Sequence, residues 1–249
     1  MIDLHAHILP GLDDGARSIE ESRELARRAA QDGVEAIAAT PHVRSDYPTS
    51  ADQMERGVAE LRRDFAKQGI EVSLLHGGEI DLEQLEVLQD EEIVRFTLAQ
   101  TGRYVLVEFP YRGWPLVLER TVFRLRLRGF QVVLAHPERN PEVQERPDRL
   151  QTAVGAGALV QITAAAIDGR LGRSSEAAAY RLLERRLAHV LASDAHTLAI
   201  REPGLRGAAK ALRDETIVRY LTEEVPAAIV AGRDVAPPPV FKRKRFNFS

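Results

Sequence analysis

Short apolar runs alternate along the chain with stretches in which apolar positions recur at helical spacing. The runs at 2–7, 36–40, 72–76, 104–109, 131–135, 158–163 and 189–193 have the length and composition of buried strands. Between them, residues 18–32, 50–68, 114–128, 141–156, 174–187 and 205–212 read as helices. A last helix spans about 214–232, and Pro226 marks a point where it can break. Ser18 and Glu21 have the spacing of a capping box at the first helix start. Strand–helix alternation predicts βα units on a parallel sheet. Seven strands, one short of a full TIM barrel, predict an α/β fold of distorted TIM-like (β/α)7 form. No internal repeat or linker divides the chain. Residues 1–235 therefore read as one domain, and the Pro-rich, basic tail 236–249 is expected to be solvated.

Composition narrows the class. Hydrophobic residues make up 44% and charged residues 29%, enough for a sizeable core. A formal charge of -3 gives no electrostatic case for a nucleic-acid partner. Cysteine is absent, which excludes a disulfide framework and any thiolate mechanism, including that of cysteine-based phosphatases. The opening Met1-Ile2-Asp3-Leu4-His5 lacks the basic and long apolar regions of a signal peptide. No apolar run approaches the ~20 residues that span a bilayer. The expectation is a cytoplasmic protein without membrane insertion; homo-oligomerisation stays open.

The candidate chemistry begins in the first strand. Alternate side chains of a strand share a face, so Asp3, His5 and His7 point the same way. Two such imidazoles can bind one metal, with Asp3 available to orient a ring from behind. A lone His-x-His is weak, but other donors follow at or just beyond the C-terminal ends of predicted strands, the active face of a parallel barrel. These are Asp13 and Asp14 in a glycine-bounded loop, then His42, Glu79, Glu108, His136, Asp194 and His196. Each alone has a bland reading as a cap, an ion-pair partner or a satisfied core group. Together they place five of the seven histidines at strand ends, which chance does not explain. His76 and His189 are assigned to packing or the surface. His5, His7, Asp14, His42, Glu79, Glu108, His136, Asp194 and His196 make nine donors, and one metal takes about four to six. Two or three divalent metals are expected. Imidazole and carboxylate ligation without sulfur suits Mn, Fe or Zn.

The run His5-Ala6-His7-Ile8-Leu9-Pro10-Gly11-Leu12-Asp13-Asp14-Gly15 is followed in order by Thr40-Pro41-His42, Gly78-Glu79-Ile80, His136-Pro137-Glu138-Arg139 and Ser193-Asp194-Ala195-His196. In these residues the chain resembles the PHP (polymerase and histidinol phosphatase) superfamily, most closely its bacterial capsule-type metal-dependent tyrosine-protein phosphatases. The resemblance covers about residues 1–212 and implies a trinuclear site. It implies that His5, His7, Glu79 and Asp194 hold one metal, that Glu79 bridges to a second shared with Glu108 and His136, and that Asp14, His42 and His196 hold a third. Manganese is the metal expected first. Arg139 and Arg201 match positions where that branch carries arginines near the substrate phosphate, and His42 or His196 could protonate the leaving group. Asp14, where many relatives have histidine, favours the tyrosine-phosphatase branch.

The implied chemistry is metal-assisted hydrolysis of a phosphomonoester, with the pKa of the attacking water lowered by the metals. The implied substrate is a phosphotyrosine protein, a bacterial tyrosine autokinase of exopolysaccharide synthesis. Three alternatives stand beside this: a PHP phosphoesterase for histidinol phosphate or another small phosphomonoester, a TatD- or amidohydrolase-like metal hydrolase, and a non-catalytic metal module. The Asp13-Asp14-Gly15 loop and the terminal Ser193-Asp194-Ala195-His196 count against the second. The complete donor set counts against the third.

Overall fold

The computed structural model describes residues 1–198 and 202–243. Its strands are β1 (Ile2–Ala6), β2 (Ala36–Ala39), β3 (His42–Arg44), β4 (Tyr47–Pro48), β5 (Ser73–His76), β6 (Glu79–Ile80), β7 (Tyr104–Glu108), β8 (Gln131–Ala135), β9 (Leu159–Thr163) and β10 (Val190–Ala192). All seven predicted strands are present. The three that periodicity missed, β3, β4 and β6, run only two or three residues, too short to show a pattern.

Two hydrogen-bonded sheets form, in the orders β1-β2-β5 and β10-β9-β8-β7-β6-β3-β4. Every pairing is parallel except that of β3 with β4. The chain itself joins the sheets, because β2 continues into β3 through Thr40-Pro41 and β5 into β6 through Gly77-Gly78. Proline has no N–H for the ladder, so pairing lapses there. At Gly78 a Cβ would lie 2.6 Å from the Phe96 ring, so the crossing needs glycine. On the other side Ala6 bridges Ala195, the Asp194 N–H donates to the His5 carbonyl (2.8 Å), and the His7 N–H donates to the Ala195 carbonyl (2.8 Å). Seven parallel staves thus close a barrel in which two staves are broken. Every residue of β7 and of β9 is buried, as expected of strands covered on both faces.

The helices hold the outside, with local departures from the pattern. The expected helix 141–156 is split into Pro141–Glu145, a 3-10 turn Pro147–Arg149 and Leu150–Gly155, with Pro147 at the break. The last helix does not break at Pro226. It widens into a π turn over Tyr220–Glu224 immediately before it and continues through Val225–Val230. Ser18 caps the first helix by accepting from the Glu21 N–H, but the Glu21 carboxylate turns to Arg17, so the expected box is only half made. The complete box is at Ser50 and Gln53. Residues 236–243, expected to be solvated, are laid on the barrel. Phe241 is buried against Tyr180, the Arg186 Nε donates to the Pro238 carbonyl, and Arg243 pairs with Glu176. Among the described residues no helix is long and apolar enough to cross a membrane.

Candidate metal centre

The C-terminal ends of the staves deliver the nine predicted donors to one rim. His5 and His7 come from the end of β1, His42 opens β3, Glu79 opens β6 and Glu108 ends β7. His136 directly follows β8, and Asp194 and His196 follow β10. Eight of the nine are buried; Asp14, on the loop after β1, is 38% exposed at its side chain. His136 (φ 40°) and Asp194 (φ 52°) hold left-handed backbone, which non-glycine residues rarely adopt. Both sit at the turn where a strand ends, and this conformation is a local cost that clusters at functional sites. The loop carrying Asp13 and Asp14 lies so close to β1 that a Cβ at Gly15 would stand 2.1 Å from the His7 carbonyl oxygen.

The donor atoms converge in four overlapping groups, each with its atoms within 4.8 Å: His7, Asp14, His42 and His196; His5, Glu79 and His136; His5, His7 and Asp194; His42, Glu79 and Glu108. His5 Nε2 and His7 Nε2 are each 3.4 Å from a Glu79 oxygen and 3.4 Å from an Asp194 oxygen, so the four residues of the first implied set lie together. Asp14 lies 3.4 Å from His42 and 3.2 Å from His196, the third set with His7 added. The second set differs from expectation. Glu79 reaches His136 at 2.9 Å, but Glu108 groups with His42 rather than with His136.

A second layer orients these groups. Gln161 Oε1 accepts from His5 Nδ1 at 2.9 Å, and Asp13 Oδ2 from His7 Nδ1 at 2.7 Å, which turns both Nε2 atoms inward. Asp3 does not orient a ring. Its Oδ1 accepts from the backbone N–H groups of Ser193 (3.0 Å) and His5 (3.3 Å), so it ties β1 to the segment after β10 that bears Asp194. Arg44 donates to both oxygens of Glu108. Glu138 Oε1 accepts from the Thr163 N–H at 2.8 Å, and burial pushes this carboxyl up to about 7. Sequence reasoning missed Gln161, Arg44 and Glu138 in these roles. Only their nearness to strand ends could have signalled them.

The electrostatics are those of an anionic cage. Burial opposes ionisation of Glu79, yet His5, His136 and His42 hold it well below the usual carboxylate range. Burial would lower His42, but Asp14 and Glu79 outweigh it and raise it to about 9. Burial dominates at His136, which falls to about 4 despite Glu79. Burial, then the Glu79 charge, pushes Glu108 up.

Both ring nitrogens of His42 face carboxylates, Nε2 toward Asp14 and Nδ1 toward Glu79, so a metal-bound His42 would have neither nitrogen left for the expected role of leaving-group acid. His196 is similarly engaged, through Asp14 and the Asp194 carbonyl. Arg139 stands at the mouth, its Nη1 2.5 Å from Asp194 and its guanidinium 5.0 Å from the Tyr111 ring centroid. Its ion pair is thus with a cage carboxylate and not with Glu138 or Glu142. Tyr111 stacks on His136 and Tyr47 on His42. Arg201 lies outside the described residues. His189 packs in the core, its Nδ1 accepting from the Val160 N–H, and His76 is partly buried at the end of β5; neither belongs to the cage.

The cage fits metal ions on its own chemistry. Buried polar atoms are normally hydrogen-bonded, yet His42 Nδ1, Glu79 Oε2 and His136 Nδ1 have no hydrogen-bond partner. The first two lie 2.9 Å apart without the alignment of a hydrogen bond, as atoms aimed at a shared third centre would. Five histidines and four carboxylates converge here without sulfur, a donor set for divalent first-row metals. Barrel and cage together define a metal-dependent hydrolase of the TIM-like class.

The chain belongs to the CpsB/CapC family of capsular polysaccharide synthesis, whose profile matches residues 1–230. It is 35% identical to the tyrosine-protein phosphatase YwqE of Bacillus subtilis, over 100% of both chains. It is 29% identical to the tyrosine-protein phosphatase CpsB of Streptococcus pneumoniae, over 84% of this chain and 88% of that one. A solved structure described under YwqE from Bacillus subtilis and CpsB from Streptococcus pneumoniae, as unique metal-dependent tyrosine phosphatases, superposes with TM-score 0.87 at 33% identity. It covers 98% of this chain and 100% of the other. A structure described as that of a probable 2-pyrone-4,6-dicarboxylic acid hydrolase from Acinetobacter baumannii (TM-score 0.57, 13% identity) covers 92% of this chain and 98% of its own, and shares the fold alone.

Proposed function

We propose that this chain is a metal-dependent protein-tyrosine phosphatase of capsule or exopolysaccharide synthesis, and that its substrate is a phosphotyrosine segment of a bacterial tyrosine autokinase. The observation that carries the reading is the cage itself: nine convergent donors with orphaned buried atoms at its centre. Membership of a family whose relatives are tyrosine-protein phosphatases gives the substrate class. His5, His7, Glu79 and Asp194 would hold one metal, and Glu79 with His136, Glu108 and His42 a second. Asp14, His42, His196 and His7 would hold a third. Three ions of manganese, or of iron or zinc, match this set.

When bound, the metals would supply a nucleophilic water at neutral pH and neutralise charge on the phosphoryl oxygens. The chain's own residues do the rest. Asp13 and Gln161 fix the ring orientations of His7 and His5. Arg139, held at Asp194 through its Nη1, would grip the phosphate with its other charge-assisted N–H donors. Tyr111 offers an aromatic wall between that guanidinium and His136. A phenolate with a pKa of about 10 leaves far more readily than an alkoxide, so no dedicated side-chain acid is required.

The test compares catalytic efficiency on a phosphotyrosine peptide, a phosphoserine peptide and histidinol phosphate in one metal buffer. Clear preference for phosphotyrosine is expected. A clear win for histidinol phosphate would return the chain to the biosynthetic phosphatases.

A further inference from the structure

Five of the nine large hydrophobic residues exposed among the described residues lie on one stretch: Tyr111, Leu116, Val117, Phe123 and Leu127. Leu116 is 88% and Leu127 73% exposed, and Phe123 is 57% exposed. Exposed apolar side chains gathered this densely along one stretch mark a binding surface. It is not isolated. Helix Leu118–Leu127 carries Phe123 and Leu127 on its outer side, and its approach segment runs into a 660 Å³ cleft. The cleft is lined by Pro110, Tyr111, Trp114 and Val117, by Arg44 and Leu82 and by the acidic Asp46, Asp81 and Glu83, and the cage carboxylate Glu108 is part of its wall. It therefore begins at the cage, where Tyr111 stacks on His136. That volume is within the range of sites that enclose a whole ligand, more than one phenyl ring needs.

We propose that the cleft and the 111–127 ridge dock the polypeptide flanking the phosphotyrosine, with a preference for apolar or aromatic side chains beside the phosphorylated residue. This rests on the phosphatase reading and names how the same site selects among substrates. Three observations favour a polypeptide. The surface is continuous with the mouth of the cage, so an occupant bound there is tethered to the reacting group. The inner half is concave, which an extended chain can enter and a flat bilayer cannot. Its lining mixes Arg44 and Arg112 with Asp46, Asp81 and Glu83, a charge pattern that a polypeptide of mixed sequence can match and an anionic bilayer cannot. Apolar contact made away from the reacting bond would raise affinity for such peptides without altering the chemistry.

The experiment uses the metal-loaded protein and two variants, Leu116→Asp and Phe123→Asp. Both positions are exposed and neither is a cage donor, so the substitutions should leave folding and the cage intact. Substrates are p-nitrophenyl phosphate and phosphotyrosine peptides flanked by Leu and Phe or by Gly and Ser. Wild type should favour the apolar-flanked peptide by about tenfold in kcat/KM, mainly through KM. The variants should lose most of that preference while p-nitrophenyl phosphate turnover stays within about twofold. Equal efficiency on both peptides, or unchanged preference in the variants, would overturn the docking surface. So would loss of binding to anionic lipid vesicles with peptide kinetics intact, since the ridge would then be a membrane face. If no aryl phosphate is hydrolysed at all, the phosphatase reading fails instead. Fluorescence anisotropy of the labelled apolar-flanked phosphopeptide, wild type against variants, then decides the docking surface separately: equal affinity sinks it.

Discussion

The side chain of Asp13 holds His7: Oδ2 accepts from the imidazole Nδ1 at 2.7 Å while the same oxygen accepts from the His42 backbone N–H at 2.9 Å. Its other oxygen accepts from the Gly15 N–H. One buried carboxylate therefore sets the tautomer of one donor, the backbone of a second and the loop that carries a third, Asp14. Adjacent aspartates that look equivalent in sequence have split tasks, Asp14 facing the cage and Asp13 standing behind it.

Asp13→Ala is accordingly expected to weaken metal binding about 10–100-fold, the range for removing a partner behind a ligating histidine. Titration of the stripped protein with Mn²⁺ against a competing chelator measures this. Affinity equal to that of wild type would show that His7 is oriented by other contacts.

Arg139→Ala should lower kcat/KM by roughly 30-fold, corresponding to about 2 kcal/mol of transition-state stabilisation from charge-assisted hydrogen bonds. Because Arg139 also pairs with Asp194, metal content must be measured alongside. Arg139→Lys retains charge but not the paired donors and should recover only part of the activity. Full recovery would mean that the residue acts through Asp194 alone.

Metal uptake should improve with rising pH. In the metal-free chain His42 keeps its proton up to about 9, because Asp14 and Glu79 outweigh the opposing effect of burial. Metal must displace that proton, so apparent affinity should climb through neutral pH and level off near about 9. Exhaustive chelation should abolish phosphatase activity, and adding Mn²⁺ back should restore it. Flat affinity from pH 6 to pH 9 would remove His42 from the ligand set.

His189 gives a stability prediction independent of the cage. Burial lowers this histidine to about 4 in the folded chain, while the unfolded chain protonates near 6.5. Its neutral form is favoured by folding, so its contribution is complete above about 6.5 and is lost as pH falls toward about 4. The loss is on the order of 3 kcal/mol. Denaturant midpoints followed across that window should fall, and His189→Gln should flatten the slope. An unchanged slope in the variant would place the acid sensitivity elsewhere.

The seven main strands and most helices were legible because burial imposes a pattern on sequence, and β7 and β9, covered on both faces, are mostly apolar up to the polar Glu108, Gln161 and Thr163. The nine candidate donors were legible for a related reason. A parallel barrel puts strand C-termini on one rim, so a polar residue ending an apolar run is already located. Where no period exists, nothing announced the outcome: β3 and β6 are fragments left after Pro41 and Gly77-Gly78 interrupt two staves.

The sequence by itself determined the barrel class, the absence of thiol chemistry and the list of residues able to hold metal, because chain direction and side-chain alternation are local properties. Only the tertiary structure decided how that list divides. Glu108 groups with His42 rather than with His136, Asp3 ties strands together instead of orienting a ring, and Gln161, from a strand with no predicted donor, fixes His5. Those choices depend on distances between side chains up to 190 residues apart in sequence, set by where two broken staves and the left-handed turns at His136 and Asp194 aim their side chains. No local pattern encodes an angle between elements; it emerges only when the whole barrel packs.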